Sequence, residues 1–375
     1  MTKLSTSKRP RIKTIVLLSS LLVWNLVQAV DAFPIVSHPS SKEHSTAIPY
    51  HLGRMPSLLR KTIPSSSHKR ISAFARIPNP PTVTTRTTTT LRGGAELLPA
   101  VLGVLTTNPS PWKACGTYLA MNAVGFAISL ITGSHLHLDL IGTGAFAVGA
   151  LPGLSSTVPH VKYSSMAICL WSVKLASFLF YRASRVGHDM RLEETLESVS
   201  GTFLFWAVSV VWNICSSMPY LVGLWNQNHA NASNVTSAGG WSRPLGGLVF
   251  SIGFLIETIA DGQKWFFKLA HPGKFCGIGL WSISQHPNFL GNLLLWSGIY
   301  ILNIPGALIG GGGWCGSCFR LLAGLVSPVF LWNLFNGQAQ GTFMNSVQLA
   351  ATKYGNDPAY KAYLRDVPAI LPKFW

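Results

Sequence analysis

Residues 245–303 read LGGLVFSIGFLIETIADGQKWFFKLAHPGKFCGIGLWSISQHPNFLGNLLLWSGIYILN. Two apolar runs, 245–260 and 287–303, enclose a polar segment that carries Asp261, Lys264, Lys268, Lys274 and His286. A hydrocarbon core of ~30 Å needs about 20 apolar residues in a helix, so each run is a short membrane span whose polar connection lies at one surface. Five further runs fit the same description, at 116–132, 137–154, 161–181, 201–225 and 320–336. The fold class is therefore all-α, a polytopic integral membrane bundle of about 6–8 transmembrane helices. Pro or Gly at 244, 291, 305 and 328 predicts tilted or broken helices.

Composition agrees. Of 375 residues, 11% are charged and 48% hydrophobic, which excludes a disordered chain and an ordinary soluble enzyme, where about 25% charged residues is usual. The net charge of +17 is unevenly placed: residues 1–95 hold 14 Lys/Arg against Asp31 and Glu43, so +12 of it sits there. The basicity thus belongs to a targeting region, and no nucleic-acid partner is implied.

Lys8, Arg9, Arg11 and Lys13 precede an apolar stretch, 14–30, in the order of a signal peptide, residues 1–32. Residues 33–95 are Ser/Thr/Pro-rich and basic, with six Thr between 84 and 90, a composition that cannot bury a core and reads as disordered. Ala-Phe at 32–33 and Ser-Ala-Phe-Ala at 72–75 make the pair resemble bipartite plastid presequences; a secretory signal followed by a linker fits the same residues. The membrane is then a plastid envelope or the endoplasmic reticulum. Residues 96–170 form the first membrane helices and 171–375 a C-terminal membrane domain.

Alternation of the spans puts 182–200, 261–286 and 337–375 on one side, with ten Lys/Arg, and 226–244 and 304–319 on the other, with Arg243 alone. Positive charge marks the first side as cytosolic or its equivalent. The sequons at Asn231 and Asn234 fall on the opposite side. Cys115, Cys169 and Cys215 read as small core residues. Cys315-Gly-Ser-Cys318 has metal or redox spacing, but no second pair accompanies it.

Three polar clusters fall on the positive side, where ionisable groups near lipid are functional candidates. The first holds Arg182, Arg185, His188, Asp189 and Arg191, able to grip phosphates and position a ribose, or simply to anchor a helix end. The second holds Glu257, Asp261, Lys264 and Lys268, at helical spacings that form one stripe: an ion-pair ladder, except that Glu257 lies inside the apolar run. In the third, His286 and Asn288 flank Pro287 at the start of a helix, where backbone N–H groups can face an anion.

Asp-Gly-Gln-Lys at 261–264, Gly-Leu-Trp at 279–281, His-Pro-Asn-Phe-Leu-Gly at 286–291 and Trp296-Ser-Gly-Ile-Tyr300 occur in that order. With the tail 353–363 and the upstream Arg185…His188-Asp189-Arg191, this resembles the steroid 5-alpha-reductase-like membrane family over about 171–375. The resemblance implies a reductase in which NADPH enters from the cytosolic face and an apolar enone lipid from the bilayer. Hydride goes to the β-carbon of a carbon–carbon double bond conjugated to a carbonyl, while an acidic group steadies the developing enolate. It makes Arg182, Arg185, His188, Asp189, Arg191, Asp261, Lys264, His286, Asn288 and Asn292 cofactor contacts, with Tyr360 and Tyr363 closing the site. Asp139 and Glu257 are the catalytic candidates, Asp139 at the substrate end, and no metal is implied.

The chain departs from the family pattern at Gln285 for arginine, Phe289 for tyrosine and Asn292 for glutamate, and Val347 stands nearest a missing glutamate. A methyltransferase similar to the isoprenylcysteine type, using S-adenosylmethionine, is the alternative. A non-catalytic protein retaining the fold is the third reading.

Overall fold

The structure, a computed structural model, describes residues 108–186, 196–227, 240–309, 312–342 and 346–372. The expected targeting region, the sequons and the trio His188, Asp189 and Arg191 lie outside the described residues. Among the described residues there are helices and no strands. They are α1 Pro111–Thr132, α2 Leu138–Ala150 with a 3₁₀ turn Leu151–Ser155, α3 Pro159–Val186, α4 Val199–Asn226 and α5 Ser242–Ala270. After a second 3₁₀ turn, Gly279–Ser282, come α6 Pro287–Ile309, α7 Gly313–Ala339, α8 Ser346–Tyr354 and α9 Pro358–Asp366.

Seven of these, α1 to α7 with the first turn counted into α2, are long and apolar enough to cross a membrane. Helices satisfy every backbone N–H and C=O within one segment, which hydrocarbon demands. At the four positions expected to tilt or break a helix there is no break: α5 runs on past Pro244, α6 through Gly291 and Pro305 and α7 through Pro328, as α4 does through Pro219. Pro219 and Pro305 are buried within the bundle. Leu119, Leu170, Phe203, Leu248 and Leu255 are exposed on α1, α3, α4 and α5, as lipid contact requires.

Adjacent spans run antiparallel, and polar pairs fix the register. Between α1 and α4, Tyr118 meets Ser217 at 2.9 Å, Asn122 donates to Asn213 at 2.8 Å and Trp206 donates to Ser129 at 3.2 Å. Between α2 and α3, Ser172 donates to the Thr143 carbonyl at 2.7 Å and accepts from Ala147 N–H at 3.1 Å. Phe146, Trp171, Trp212 and Trp296 form the central knot, their ring centroids 4.8 to 6.5 Å apart.

At one end of the bundle, Trp112, Trp225, Trp241 and Trp314 are all exposed, an aromatic belt marking one membrane boundary. At 1.5 Å per residue, ~30 Å of hydrocarbon takes about 20 residues, so α5 leaves it near Asp261. Glu257 is one turn inside, and Lys264 and Lys268 stand in the far interface. That far end also gathers Arg182, Arg185, Lys274, Lys353, Lys361 and Arg365, which makes eight cations there. Helix ends add Lys113, Lys162 and Arg320 to Arg243 on the belt side. The bias among described residues is eight to four, smaller than loops alone predict but of the same sign.

Candidate functional site at the cationic mouth

Glycine brings the two decisive helices together. A Cβ on Gly246 or Gly253 of α5 would collide with the α6 backbone, and one on Gly291 or Gly298 of α6 with that of α5. Each pair is spaced seven residues apart, two turns on one helix face. Backbone contact without side chains is how small residues seat membrane helices closely. It sets Glu257 opposite Asn292.

Glu257 is buried, and three donors converge on it. Its Oε1 accepts from Trp171 Nε1 at 3.2 Å and Asn292 Nδ2 at 2.8 Å, and its Oε2 from Lys174 Nζ at 2.7 Å. The lysine also faces the Phe254 ring, 5.3 Å away. Glu257 therefore pairs across helices with α3 instead of along the stripe of its own helix. Lys174 was missed in the sequence because the reading looked for clusters at span ends; a lysine in the middle of the apolar run 161–181 was itself the signal.

Around this pair the charges crowd. Asp261 lies within Coulombic reach of Glu257, Lys174, Arg182 and Lys264. Lys264 in turn senses Lys268, Asp261 and Arg182. Four cations, Lys174, Arg182, Lys264 and Lys268, thus stand against the two carboxylates Glu257 and Asp261, an excess of two positive charges. Lys264 is exposed and its ammonium stands 4.1 Å over the Trp281 ring. Arg185, also exposed, lies 5.4 Å over Tyr181, whose ring meets Trp265 of α5 edge-on at 5.7 Å.

The Gly-Leu-Trp turn is bolted to α5. Gln263 Oε1 accepts from Leu280 N–H at 3.0 Å, and Trp281 Nε1 donates to the Ala260 carbonyl at 2.9 Å. Gly279 has φ of 58°, a left-handed conformation that favours glycine, and packs directly on Gln263. The turn delivers His286 to the first residue before α6. Burial first, and the Lys264 charge second, push the His286 pKa down to about 4, so its imidazole is neutral near pH 7. Phe289 stacks on it at 4.8 Å and on Phe335 at 4.6 Å, which gives the departure at 289 a supporting role. Asn288 Oδ1 and Asn292 Oδ1 are buried without a protein partner.

The tail covers the turn. Gln285 Nε2 donates to the carbonyls of Leu364 at 3.1 Å and Val367 at 2.6 Å, and its backbone N–H to that of Pro368 at 2.9 Å. Ser284 Oγ donates to Ile370 O at 2.8 Å. Gln285 is thus a clasp on the tail. Tyr363 commits its hydroxyl to the Trp281 carbonyl at 2.8 Å, and Tyr360 is buried against Phe275, 5.3 Å between rings. Both tyrosines brace the closing segment; of the loop-to-tail partners, Ser284 and Phe275 carried no sequence signal, and Gln285 showed only as a departure from the family pattern.

Asp139 sits in the first turn of α2 at this same end and is itself engaged. α2 packs chiefly on α1, α3 and α4, and reaches α6 through Phe146 on Trp296. Among the described residues no group of three or more His, Cys, Asp or Glu could hold a metal.

Comparison with known proteins matches residues 125–367 to a family described as Protein of unknown function (DUF1295). The chain belongs to the DUF1295 family. DUF1295 includes steroid 5-alpha-reductase-like proteins, and its match reaches upstream of the 171–375 stretch that carries the sequence motifs. All of the mouth residues fall inside it. No curated protein and no solved structure matches the chain.

Proposed function

We propose that this DUF1295 protein is a membrane-embedded, NADPH-dependent reductase of a carbon–carbon double bond conjugated to a carbonyl in a lipid. One observation carries the reading: a charge cluster with two excess positive charges lies about one helical turn from the Lys174–Glu257 pair, with two unpartnered amide oxygens, Asn288 and Asn292, beside it. The residues suit a dinucleotide phosphate. Arg182, Arg185, Lys264 and Lys268 offer cations for its phosphates. Asn288 and Asn292 offer acceptors for amide donors, and neutral His286 offers a ring nitrogen at the start of α6. Bound there, NADPH supplies a hydride.

The chain's own contribution is positional. Lys174 leaves 20% of its side chain open and lies on the hydrocarbon side of the mouth, where a lipid carbonyl arrives. Its Nζ donates a hydrogen bond to the carbonyl oxygen and opposes the charge that develops there. Glu257 acts through Lys174, holding its ammonium in place, and Trp171 and Asn292 fix Glu257. The tail clasped by Gln285 keeps bulk water from the turn.

Purified protein in lipid nanodiscs, given NADPH and a panel of enone lipids (steroidal, polyprenoid and fatty enoyl), is expected to oxidise NADPH with stoichiometric loss of the double bond. Lys174→Met should lower kcat with little change in NADPH affinity. Transfer of a methyl group from S-adenosylmethionine, with no NADPH oxidation, would overturn the proposal in favour of the methyltransferase reading.

A further inference from the structure

The sequence Trp314-Cys315-Gly-Ser-Cys318 lies at the opposite end of the bundle from the mouth, in the first turns of α7, and has no part in the reductase reading. Both thiols are free; Cys315 is exposed and Cys318 half-buried. Two cysteines separated by two residues at the start of a helix, the first open to solvent and the second screened, form the arrangement of a dithiol that exchanges with disulfides.

Local backbone geometry favours closure. Gly312 caps α7 with φ of 90°, and Gly313 follows with φ of 60°, so a glycine-only entry precedes the pair. The first helical bond is Gly316 N–H to Gly312 O, and no side chain caps the end. Residues 313–316 are therefore held by little besides their own winding, and the turn is tied to α6 at Ser317, whose Oγ donates to the Leu308 carbonyl at 3.1 Å. Residues i and i+3 of an α-helix hold their Cβ atoms about 5–6 Å apart, against about 3.8 Å in a disulfide. Tightening that turn toward a 3₁₀ helix, in which i and i+3 eclipse, closes the difference. A metal is a poorer reading, since no third ligand of the His, Cys, Asp or Glu type accompanies the pair among the described residues.

We infer that Cys315 and Cys318 are a reversible dithiol–disulfide pair on the membrane face opposite the cationic mouth, with Cys315 the attacking sulfur and Cys318 the resolving one. The co-reactant is a small or protein disulfide. The Cys315 thiolate attacks one of its sulfurs and expels one thiolate. The Cys318 thiolate then attacks the Cys315 sulfur of the mixed disulfide and expels the second. One disulfide is reduced to two thiols, which keep the two protons, and two protein thiols become one disulfide.

The probe is glutathione. Full-length protein in nanodiscs is equilibrated with reduced and oxidised glutathione at graded ratios, quenched by alkylation and read by peptide mass. The expected result is a peptide spanning 315 and 318 that loses two hydrogens as the buffer becomes oxidising and regains them on reduction. Cys318→Ser should leave glutathione trapped on Cys315, and Cys315→Ser should slow glutathionylation at least tenfold. Helix content by circular dichroism in the same nanodiscs serves as the fold control for both variants. An absent internal bridge in the most oxidising buffer, or equal reactivity of the two single variants, would overturn the inference.

Discussion

The Lys174–Glu257 pair gives the sharpest quantitative expectation. Glu257 is 3% exposed and Lys174 20%, their charged atoms are 2.7 Å apart, and the pair lies about one turn inside the hydrocarbon boundary. Removing one member of a buried pair strands the other charge, at about 3–5 kcal/mol; the partial exposure of Lys174 places Glu257→Gln near the lower end, about 3 kcal/mol. Lys174→Met strands a carboxylate that keeps two neutral donors, Trp171 and Asn292, and should cost a similar amount. The double variant removes both charges together and should cost about 1 kcal/mol, so the cycle returns a coupling of several kcal/mol. Reversible unfolding in mixed micelles titrated with sodium dodecyl sulfate, followed by tryptophan fluorescence, measures all four corners. A double variant whose loss equals the sum of the singles would refute the pairing.

Gly253→Ala and Gly291→Ala should each destabilise by about 1–3 kcal/mol through overpacking at the α5–α6 seam, whereas Gly247→Ala, whose Cβ meets nothing, should be neutral in the same unfolding assay. His286 has a folded pKa of about 4 against 6.5 in the unfolded chain, so below about 6.5 the unfolded chain takes up a proton that the folded one refuses. Stability therefore falls with falling pH between these values, by at most about 3 kcal/mol, and is fully present above 6.5; His286→Gln should flatten this component when stability is compared across the window, and an unchanged slope would count against it. Gln285→Ala should free the tail, with faster tryptic cleavage after Arg365 and an intact bundle; equal cleavage rates would show that the clasp holds nothing.

The bundle was legible because lipid leaves a chain few choices: runs of about 20 apolar residues become helices, and each of the seven apolar runs coincides with one of the seven long apolar helices among the described residues. The sign of the charge bias was legible for the same reason. The gathering of Arg182, Asp261, Lys264 and His286 at one end followed from counting spans. What sequence reading missed was pairing across helices. Glu257 was suspected for its depth, but its partner sits 83 residues upstream on α3. The seven-residue spacing of Gly246 with Gly253 and of Gly291 with Gly298 was visible, but that the two seams face one another was not. Gln285 reads as a lost cation against the family pattern; its amide instead holds carbonyls about 80 residues downstream, a role no local motif encodes.

The central claim, that the cationic mouth grips a dinucleotide, is tested most directly by fluorescence titration of NADPH into the protein in nanodiscs, beside Lys264→Ala and Arg182→Ala variants. The account predicts saturable binding that weakens at least tenfold in each variant and is screened by salt. Absence of saturable binding to the intact protein, or equal affinity in all three proteins, would contradict it.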